Sequence, residues 1–309
     1  MSAARDFAVT ARIATTTAVL MFGLIVVGSI VRTTGSGLAC PDWPLCHGRL
    51  IPPLQFNILV EWFHRLLALV VGVGLLATAA WIVTRRETRA RLGGLAALCI
   101  ALYLSQAFLG ALTVWKLLDP NVVSGHLAMA LLLFAALLTL GLVARHESRE
   151  APATGSRSAG LLAGFFIATA AIWTQAVLGG MVSTNHASLV CPDWPTCNGE
   201  WFPPFTGLVG LQMAHRYGAY LLAAYLGALA LLARRAPEAS VRRVGVTLFV
   251  LVLVQGAIGV VNLLLGIPVW ASALHLANAA FMLALALVAT FRLSVLPAGE
   301  RVLAGAVAR

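Results

Sequence analysis

Eight long apolar runs, separated by short polar segments, dominate the pattern of hydrophobic and polar residues along this chain. Each run is about 20 residues long, the length that an α-helix needs to cross the hydrocarbon core of a membrane. Lipid offers no partner to an unpaired backbone amide, so each run is predicted to be a helix. The predicted membrane spans are 13–31, 58–83, 93–115, 122–143, 160–182, 208–232, 244–265 and 269–291.

The composition of the 309 residues agrees with a membrane protein. Hydrophobic residues make up 60% and charged residues only 10% of the chain, whereas soluble chains contain about 45–50% apolar and about 25% charged residues. This composition excludes a soluble globular domain, a disordered chain and a disulfide-rich miniprotein. The net charge of +10 comes mostly from short arginine clusters between the spans, a pattern that gives no support to nucleic-acid binding.

The arginine clusters predict the orientation of the chain. Most of the 21 basic residues lie before the first span, after the last one, or in the loops that follow the even-numbered spans. Loops rich in arginine stay in the cytoplasm, so both termini are predicted to be cytoplasmic. We expect a multi-pass protein of the bacterial cytoplasmic (inner) membrane.

An internal repeat divides the chain into two halves of four spans each. Residues 40–53 read CPDWPLCHGRLIPP and residues 191–204 read CPDWPTCNGEWFPP, at an offset of 151 positions. An even number of spans returns the chain to the same side of the membrane, so the halves share one orientation. We expect two four-helix bundles related by a pseudo-twofold axis along the membrane normal. The polar linker at 144–160 separates half 1–150 from half 151–309.

Each half carries a Cys-x5-Cys pair in its first outward loop, Cys40/Cys46 and Cys191/Cys197. Disulfides are stable on the oxidising side of a membrane. The intervening Pro-Asp-Trp-Pro favours a compact turn that holds the two thiols close together. Two interpretations stay open for each pair: a structural staple, or an exposed and reducible redox bond.

The apolar helices contain two pairs of histidines related by the repeat. His64 and His126 lie near the outer ends of the second and fourth spans, and His215 and His275 occupy the corresponding places in the second half. A lone histidine in such a helix is usually a hydrogen-bonded core residue, but ionisable groups inside a membrane are costly and typically functional. Two imidazoles facing each other across a bundle are typical of haem-iron ligation. Zinc fits less well, because no carboxylate or thiol completes a tetrahedral set in the second half.

Glu61 has no acidic counterpart in the second half, because EWFHR becomes QMAHR and Gln212 takes its place. Glu61 lies three residues before His64 and therefore on the same face of the helix. An acid beside a bound haem can move protons or stabilise developing positive charge, and a glutamine cannot. The alternative role of Glu61 is to orient His64. We infer an active first half and a second half kept for cofactor binding.

Each of these motifs ends in an arginine near the outer rim, Arg65 in the first half and Arg216 in the second. Two interpretations stay open for both residues. Their guanidinium groups either pair with haem propionates or reach the membrane interface by snorkelling.

Together these residues resemble one family. The motifs TGSGLACPDWPLC and EWFHR, the histidines in SGHLAMA and ALHLANA, and the eight-helix repeat are similar to those of the haem A synthases of aerobic bacteria and mitochondria. The resemblance covers nearly the whole chain. It implies an oxidoreductase that converts the C8 methyl group of haem O to the formyl group of haem A, through hydroxylated intermediates, for cytochrome oxidase cofactor biogenesis.

The resemblance also implies a role for each half. The substrate, haem O, binds in the first half, with His64 and His126 as the paired histidines and Glu61 as the acid. A tightly held haem b lies in the second half, between His215 and His275.

The same resemblance implicates the first cysteine pair, Cys40 and Cys46, in catalysis or electron transfer through disulfide chemistry. The expected partners are haem O, membrane lipid, haem O synthase and cytochrome oxidase assembly factors. A homo-oligomer is a further hypothesis.

Three other functions compete with this one. A dihaem b electron-transfer cytochrome uses four histidines but needs neither Glu61 nor the disulfides, and it expects ligands on both sides of the membrane, whereas all four histidines here are near the outer side. A disulfide–quinone oxidoreductase usually relies on Cys-x2-Cys and does not need buried histidines. Haem export is the third alternative.

Overall fold

The computed structural model of the protein describes residues 2–149 and 158–297, which form eight long α-helices. Each helix is long and apolar enough to cross a membrane. The eight predicted spans are therefore confirmed, and the chain is an all-α, multi-pass membrane protein. The helices are α1 (Ala3–Thr33), α2 (Phe56–Val83), α3 (Arg86–Trp115), α4 (Pro120–Glu147), α5 (Ala159–Thr184), α6 (Gly207–Ala233), α7 (Ala239–Leu264) and α8 (Val269–Ser294).

Two helices begin well before the apolar runs that predicted them. α1 begins at Ala3 rather than at residue 13, and α3 begins at Arg86 rather than at residue 93. Hydropathy marks the part of a helix that lipid covers, while the backbone continues its i→i−4 hydrogen bonds through polar residues. The arginine-rich beginnings of these helices therefore extend beyond the apolar stretch.

α4 begins with a side-chain cap that fixes the position of a predicted site residue. The Asp119 carboxylate accepts hydrogen bonds from the backbone N–H groups of Asn121 and Val122 at 2.9 and 3.2 Å. Pro120 fills the first helical position, where no N–H donor is needed. His126 consequently lies in the second turn of α4, on the side of the protein that carries both disulfide loops, which we call the cysteine-loop side.

The four helices of each half pack in the same order. α1 packs against α2 and α4, and α3 completes the set by packing against α2 and α4 as well. In the second half α5 packs against α6 and α8, and α7 packs against the same two helices. The pseudo-twofold axis and the division into two functional domains stay predictions, and the expected boundary between residues 150 and 151 lies outside the described residues.

One continuous buried core joins the halves. Leu133 of α4 and Phe165 of α5 are both fully buried in the same apolar cluster. The halves meet where α1 packs on α8 and where α4 packs on α5 and α8. A polar contact also bridges them, because Ser124 Oγ of α4 lies 2.8 Å from Thr184 Oγ1 of α5. The packing holds the predicted sites of the two halves in one rigid frame.

Candidate functional site

A cavity of about 1550 Å³ is lined by residues of both halves. Pockets for a single small molecule usually measure about 300–1,000 Å³, so this cavity has room for more than one large ligand. Most of the predicted site residues lie on its wall. They are Cys46, Glu61, His64, Arg65, His126, His215, Arg216 and His275.

The histidines of the second half face one another across the bundle. The ring centroids of His215 in α6 and His275 in α8 are 6.5 Å apart, and the ring planes are inclined by 69°. An imidazole nitrogen binds a metal ion at about 2.0–2.1 Å. The separation therefore leaves room for a single metal ion held by both rings.

The imidazoles have nitrogens that the protein leaves without a partner. Nδ1 of His64, His126 and His275 is buried and accepts or donates no hydrogen bond within the described residues. A buried polar atom without a partner costs about 1–3 kcal/mol, so these rings lie in their places at a cost that packing elsewhere must offset.

The donor set also limits the kind of metal centre. Residues 2–149 and 158–297 contain no group of three or more His, Cys, Asp or Glu side chains placed to hold a metal ion. Two imidazoles on their own suit a metal that already carries other ligands, as the iron of a haem does. The residues present therefore fit a haem gripped from both faces.

Each of the four rings packs against a glycine of a neighbouring helix. A Cβ atom added to Gly28, Gly110, Gly179 or Gly259 would lie 3.2, 3.2, 2.9 or 3.1 Å from the Cε1 atom of the facing histidine. The facing rings are those of His64, His126, His215 and His275 in that order. These distances are shorter than ordinary van der Waals contact, most of all at Gly179, so the glycines let the imidazoles lie close against the neighbouring helices. The repeat offsets of 151 and 149 relate these glycines as they relate the histidines.

Glutamines contact three of the histidines. Gln106 Nε2 lies 3.2 Å from His126 Nε2, and Gln255 Nε2 donates to the His275 carbonyl at 2.9 Å. Gln175 Nε2 donates to the His215 carbonyl at 2.7 Å and lies 3.0 Å from its Nδ1. Sequence reasoning missed Gln175, because the repeat places Leu24 at the corresponding position of the first half.

Glu61 lies where the first cysteine loop meets α2. Its Oε2 atom accepts a hydrogen bond from the Cys40 backbone N–H at 2.8 Å, and its Oε1 atom pairs with Arg65 Nη2 at 2.5 Å. The side chain is only 5% exposed. At the corresponding position, Gln212 Nε2 contacts the Ser188 carbonyl at 3.4 Å, and its buried Oε1 has no partner within the described residues. The two halves therefore differ in a buried negative charge.

The two predicted arginines hold the cysteine loops. Arg65 donates to the backbone carbonyls of Cys40, Asp42 and Leu45 at 2.9, 2.6 and 2.5 Å. Arg216, which is buried, donates to the carbonyls of Cys191 and Thr196 in the second loop. In each case both Nη atoms are used by the loop.

The two interpretations made from the sequence, in which the guanidinium meets a propionate or the membrane interface, did not include these loop contacts. Binding of haem propionates by Arg65 and Arg216 stays a prediction.

Both cysteine pairs form disulfides, with Cα–Cα distances of 4.7 Å for Cys40–Cys46 and 4.5 Å for Cys191–Cys197. All four sulfur-bearing residues are fully buried or nearly so. The expectation of an exposed disulfide, which the redox interpretation included, is therefore wrong for both pairs.

An aspartate closes each of these loops. Asp42 accepts hydrogen bonds from the backbone N–H groups of His47 and Gly48 at 2.6 and 2.7 Å. These bonds favour the charged carboxylate, and the Gly48 N–H above all lowers the pKa of Asp42 from its ordinary value. Asp193 has the same position in the second loop, where the Thr196 hydroxyl makes the largest contribution to lowering its pKa. Both loops are thus anchored by negative charge at neutral pH.

The fold and the site define the class: a polytopic α-helical membrane protein whose repeated halves each place two histidines and a disulfide loop around a shared cavity. Residues 11–287 match the COX15-CtaA family, described as cytochrome oxidase assembly protein. The chain belongs to this family.

The chain is also similar to several proteins named heme A synthase. It is 33% identical over 229 residues to that of Bacillus licheniformis, covering 71% of this chain and 74% of the relative. It is 29% identical over 307 residues to that of Shewanella oneidensis, covering 85% and 91%. It is 30% identical over 335 residues to that of a Methylobacterium species, covering 91% of each chain. The resemblance read from the sequence is confirmed.

Proposed function

We propose that this protein is a haem A synthase, an oxidoreductase that converts the C8 methyl group of haem O to the formyl group of haem A through hydroxylated intermediates. One observation carries the proposal: a single cavity is lined by two histidine pairs, and within residues 2–149 and 158–297 only the first pair has a buried carboxylate on the same helix. The relatives named heme A synthase support the same reaction.

The proposal gives the two halves different tasks. In residues 1–150, His64 and His126 hold the iron of the substrate haem O. In residues 151–309, His215 and His275 hold a resident haem b, and their spacing of 6.5 Å supports this assignment. When bound, haem b supplies a redox-active iron that exchanges electrons one at a time.

Glu61 is the proposed catalytic acid–base group of the first half. Oxidation of a methyl group at the porphyrin edge removes electrons, so positive charge develops there until a proton is lost. A carboxylate on the cavity wall can stabilise this charge or accept a proton. Gln212 offers neither, which supports a binding task without chemistry for the second half.

The Cys40–Cys46 disulfide is proposed to act in catalysis or electron transfer. Two contacts support this role: Cys46 lines the cavity, and the Cys40 backbone N–H donates to Glu61 at 2.8 Å. Reduction or oxidation of this disulfide would therefore alter a hydrogen bond to the Glu61 carboxylate.

The arginine-rich side of the bundle is proposed to face the cytoplasm of a bacterial cell, with both termini on that side and the cysteine loops outside the inner membrane. Haem O synthase and cytochrome oxidase assembly factors are the proposed protein partners. The proposed oligomeric state is a homo-oligomer.

The test is acid–acetone extraction of haem from the purified protein, produced in cells with a haem O supply, followed by chromatography and mass analysis. We expect haem A or its hydroxylated precursor alongside haem b. Cells without haem O provide the control and should yield haem b alone. Haem b alone in the presence of abundant haem O would overturn the proposal and favour the dihaem b electron-transfer cytochrome.

A further inference from the structure

Arg32 is a half-buried cation on the wall of the cavity, in the last turn of α1. Among the hydrogen bonds and ion pairs formed within residues 2–149 and 158–297, none involves its guanidinium group. A guanidinium has five N–H donors and stays charged. A half-buried cation that faces a cavity without a partner is suited to binding an anion that enters the cavity.

The position of Arg32 relates it to the first histidine pair. Gly28 lies one helical turn earlier in α1, on the same face, and it packs against the ring of His64. Arg32 therefore lies one turn, roughly 5–6 Å along α1, beyond the glycine that contacts His64, in the direction of the cysteine-loop side. If His64 binds the iron at the centre of a haem, the edge of the macrocycle lies at the height of Arg32.

Two other arginines of the first half, Arg65 and Arg49, line the cavity, and Arg65 is already engaged. Both Nη atoms of Arg65 donate to loop carbonyls or to Glu61. Arg49, in contrast, is an exposed residue that also lines the cavity. Arg32 and Arg49 thus line the cavity, and the guanidinium group of neither makes a hydrogen bond or ion pair within the described residues.

The second half has neither cation. At the repeat offset of 151, Ser183 corresponds to Arg32 and Glu200 corresponds to Arg49. These differences resemble that between Glu61 and Gln212, because at each position a charged residue on the cavity wall of the first half is replaced in the second half.

We propose that Arg32, assisted by Arg49 at the rim, forms a carboxylate-binding subsite that receives the propionate groups of haem O. The inference rests on the proposed function of the first half. Anchoring the acidic edge of the macrocycle at the cysteine-loop side fixes its rotation about the axis through the two histidines. That rotation decides which edge substituent is presented to Glu61.

The experiment compares haem O with its dimethyl ester, in which both propionates are uncharged. Each is titrated into protein whose haem b site is already filled, and binding is followed by difference absorbance, with KM and kcat measured for both. Arg32→Gln should weaken binding and raise the KM of haem O about tenfold, as expected for loss of a charge-assisted hydrogen bond. The same substitution should leave the affinity for the ester within about twofold.

Two further variants keep this test decisive. Arg32→Lys retains the charge, so it should bind haem O more tightly than Arg32→Gln does. Its affinity for the ester should equal that of Arg32→Gln. Arg12→Gln removes an arginine from the same helix that does not line the cavity, and it should match the wild type with both ligands. The haem b absorption band must be unchanged in all three variants, which shows that each is folded.

An equal loss of affinity for haem O and for its ester in Arg32→Gln would overturn the inference, because it would indicate a general packing role. Unchanged affinity for both would overturn it too. Failure of the proposed function is a separate result: the wild type would then bind haem O without forming haem A, whatever Arg32 does to binding.

Discussion

Glu61 combines a structural and a chemical position in one residue. One carboxylate oxygen is held by the Cys40 backbone N–H and the other by Arg65, so the group is fixed at the wall of the cavity. Because the pair is almost fully buried, removal of the negative charge leaves Arg65 without compensation. A substitution at Glu61 must therefore be read together with a measure of folding.

We expect Glu61→Gln to retain haem b and to bind haem O, but to lower the yield of haem A by about 100-fold or more, since an amide cannot accept the proton. The measurement is the ratio of haem A to haem O in extracts of the purified variant. The haem b absorption band reports the fold. Wild-type yield of haem A from this variant would contradict the role of Glu61.

The matched control for this variant is Gln212→Glu, which places an acid at the corresponding position of the second half. Under the proposed division of tasks, it should leave the yield of haem A within about twofold of wild type. A strong loss would mean that the second half also takes part in the chemistry.

At the scale of helices, the register between neighbours positions the histidines. Four imidazoles pack on four glycines, each on an adjacent helix. The sequence contains the signal, since Gly28 and Gly179 share the offset of His64 and His215. The offset alone does not show which residue faces which, because hydropathy gives the length of a helix and not its rotation against a neighbour. The contact could be identified only from the packed structure.

Gly179→Ala tests this packing in the proposed haem b site. The new methyl group would lie 2.9 Å from His215 Cε1, and overpacking of this kind costs roughly 1–3 kcal/mol. We expect haem b content at limiting haem to fall about tenfold and the low-spin electron paramagnetic resonance signal of the remaining haem to shift. Gly160→Ala in the same helix has no atom within 4 Å of the new methyl group and should resemble the wild type. Identical spectra for both variants would show that the contact does not position His215.

At the scale of the whole molecule, the sequence predicts the frame better than the contacts of the site. The eight spans follow from the free energy of transferring apolar side chains into lipid, and the two halves follow from the repeated loop. The partners of Arg65 and Arg216 do not follow, because their guanidinium groups bind loop carbonyls whose positions depend on the folded turn. Gln175 escapes prediction for another reason, since it contacts His215 at a position without a polar counterpart in the first half.

The repeated architecture therefore carries two unlike sites inside one cavity. A few positions distinguish them: Glu61, Arg32 and Arg49 in the first half have Gln212, Ser183 and Glu200 as counterparts. The similar helix frame packs each histidine against a glycine in both halves, and under the proposed function the changed side chains assign chemistry to the first half. Such a division requires that loss of haem from one site leaves haem binding at the other site intact.

Single histidine variants measure this independence. His275→Ala removes one ring of the second pair and should abolish the low-spin haem b spectrum, while haem O still binds in the first half with an affinity within about threefold of wild type. His126→Ala should do the reverse, with haem b retained and haem A no longer formed. The measurement is the amount and type of haem per protein, with absorption spectra, for both variants and the wild type. If either substitution emptied both sites of a protein that still elutes as a folded particle, the two halves would share one haem site and the division of tasks would be wrong.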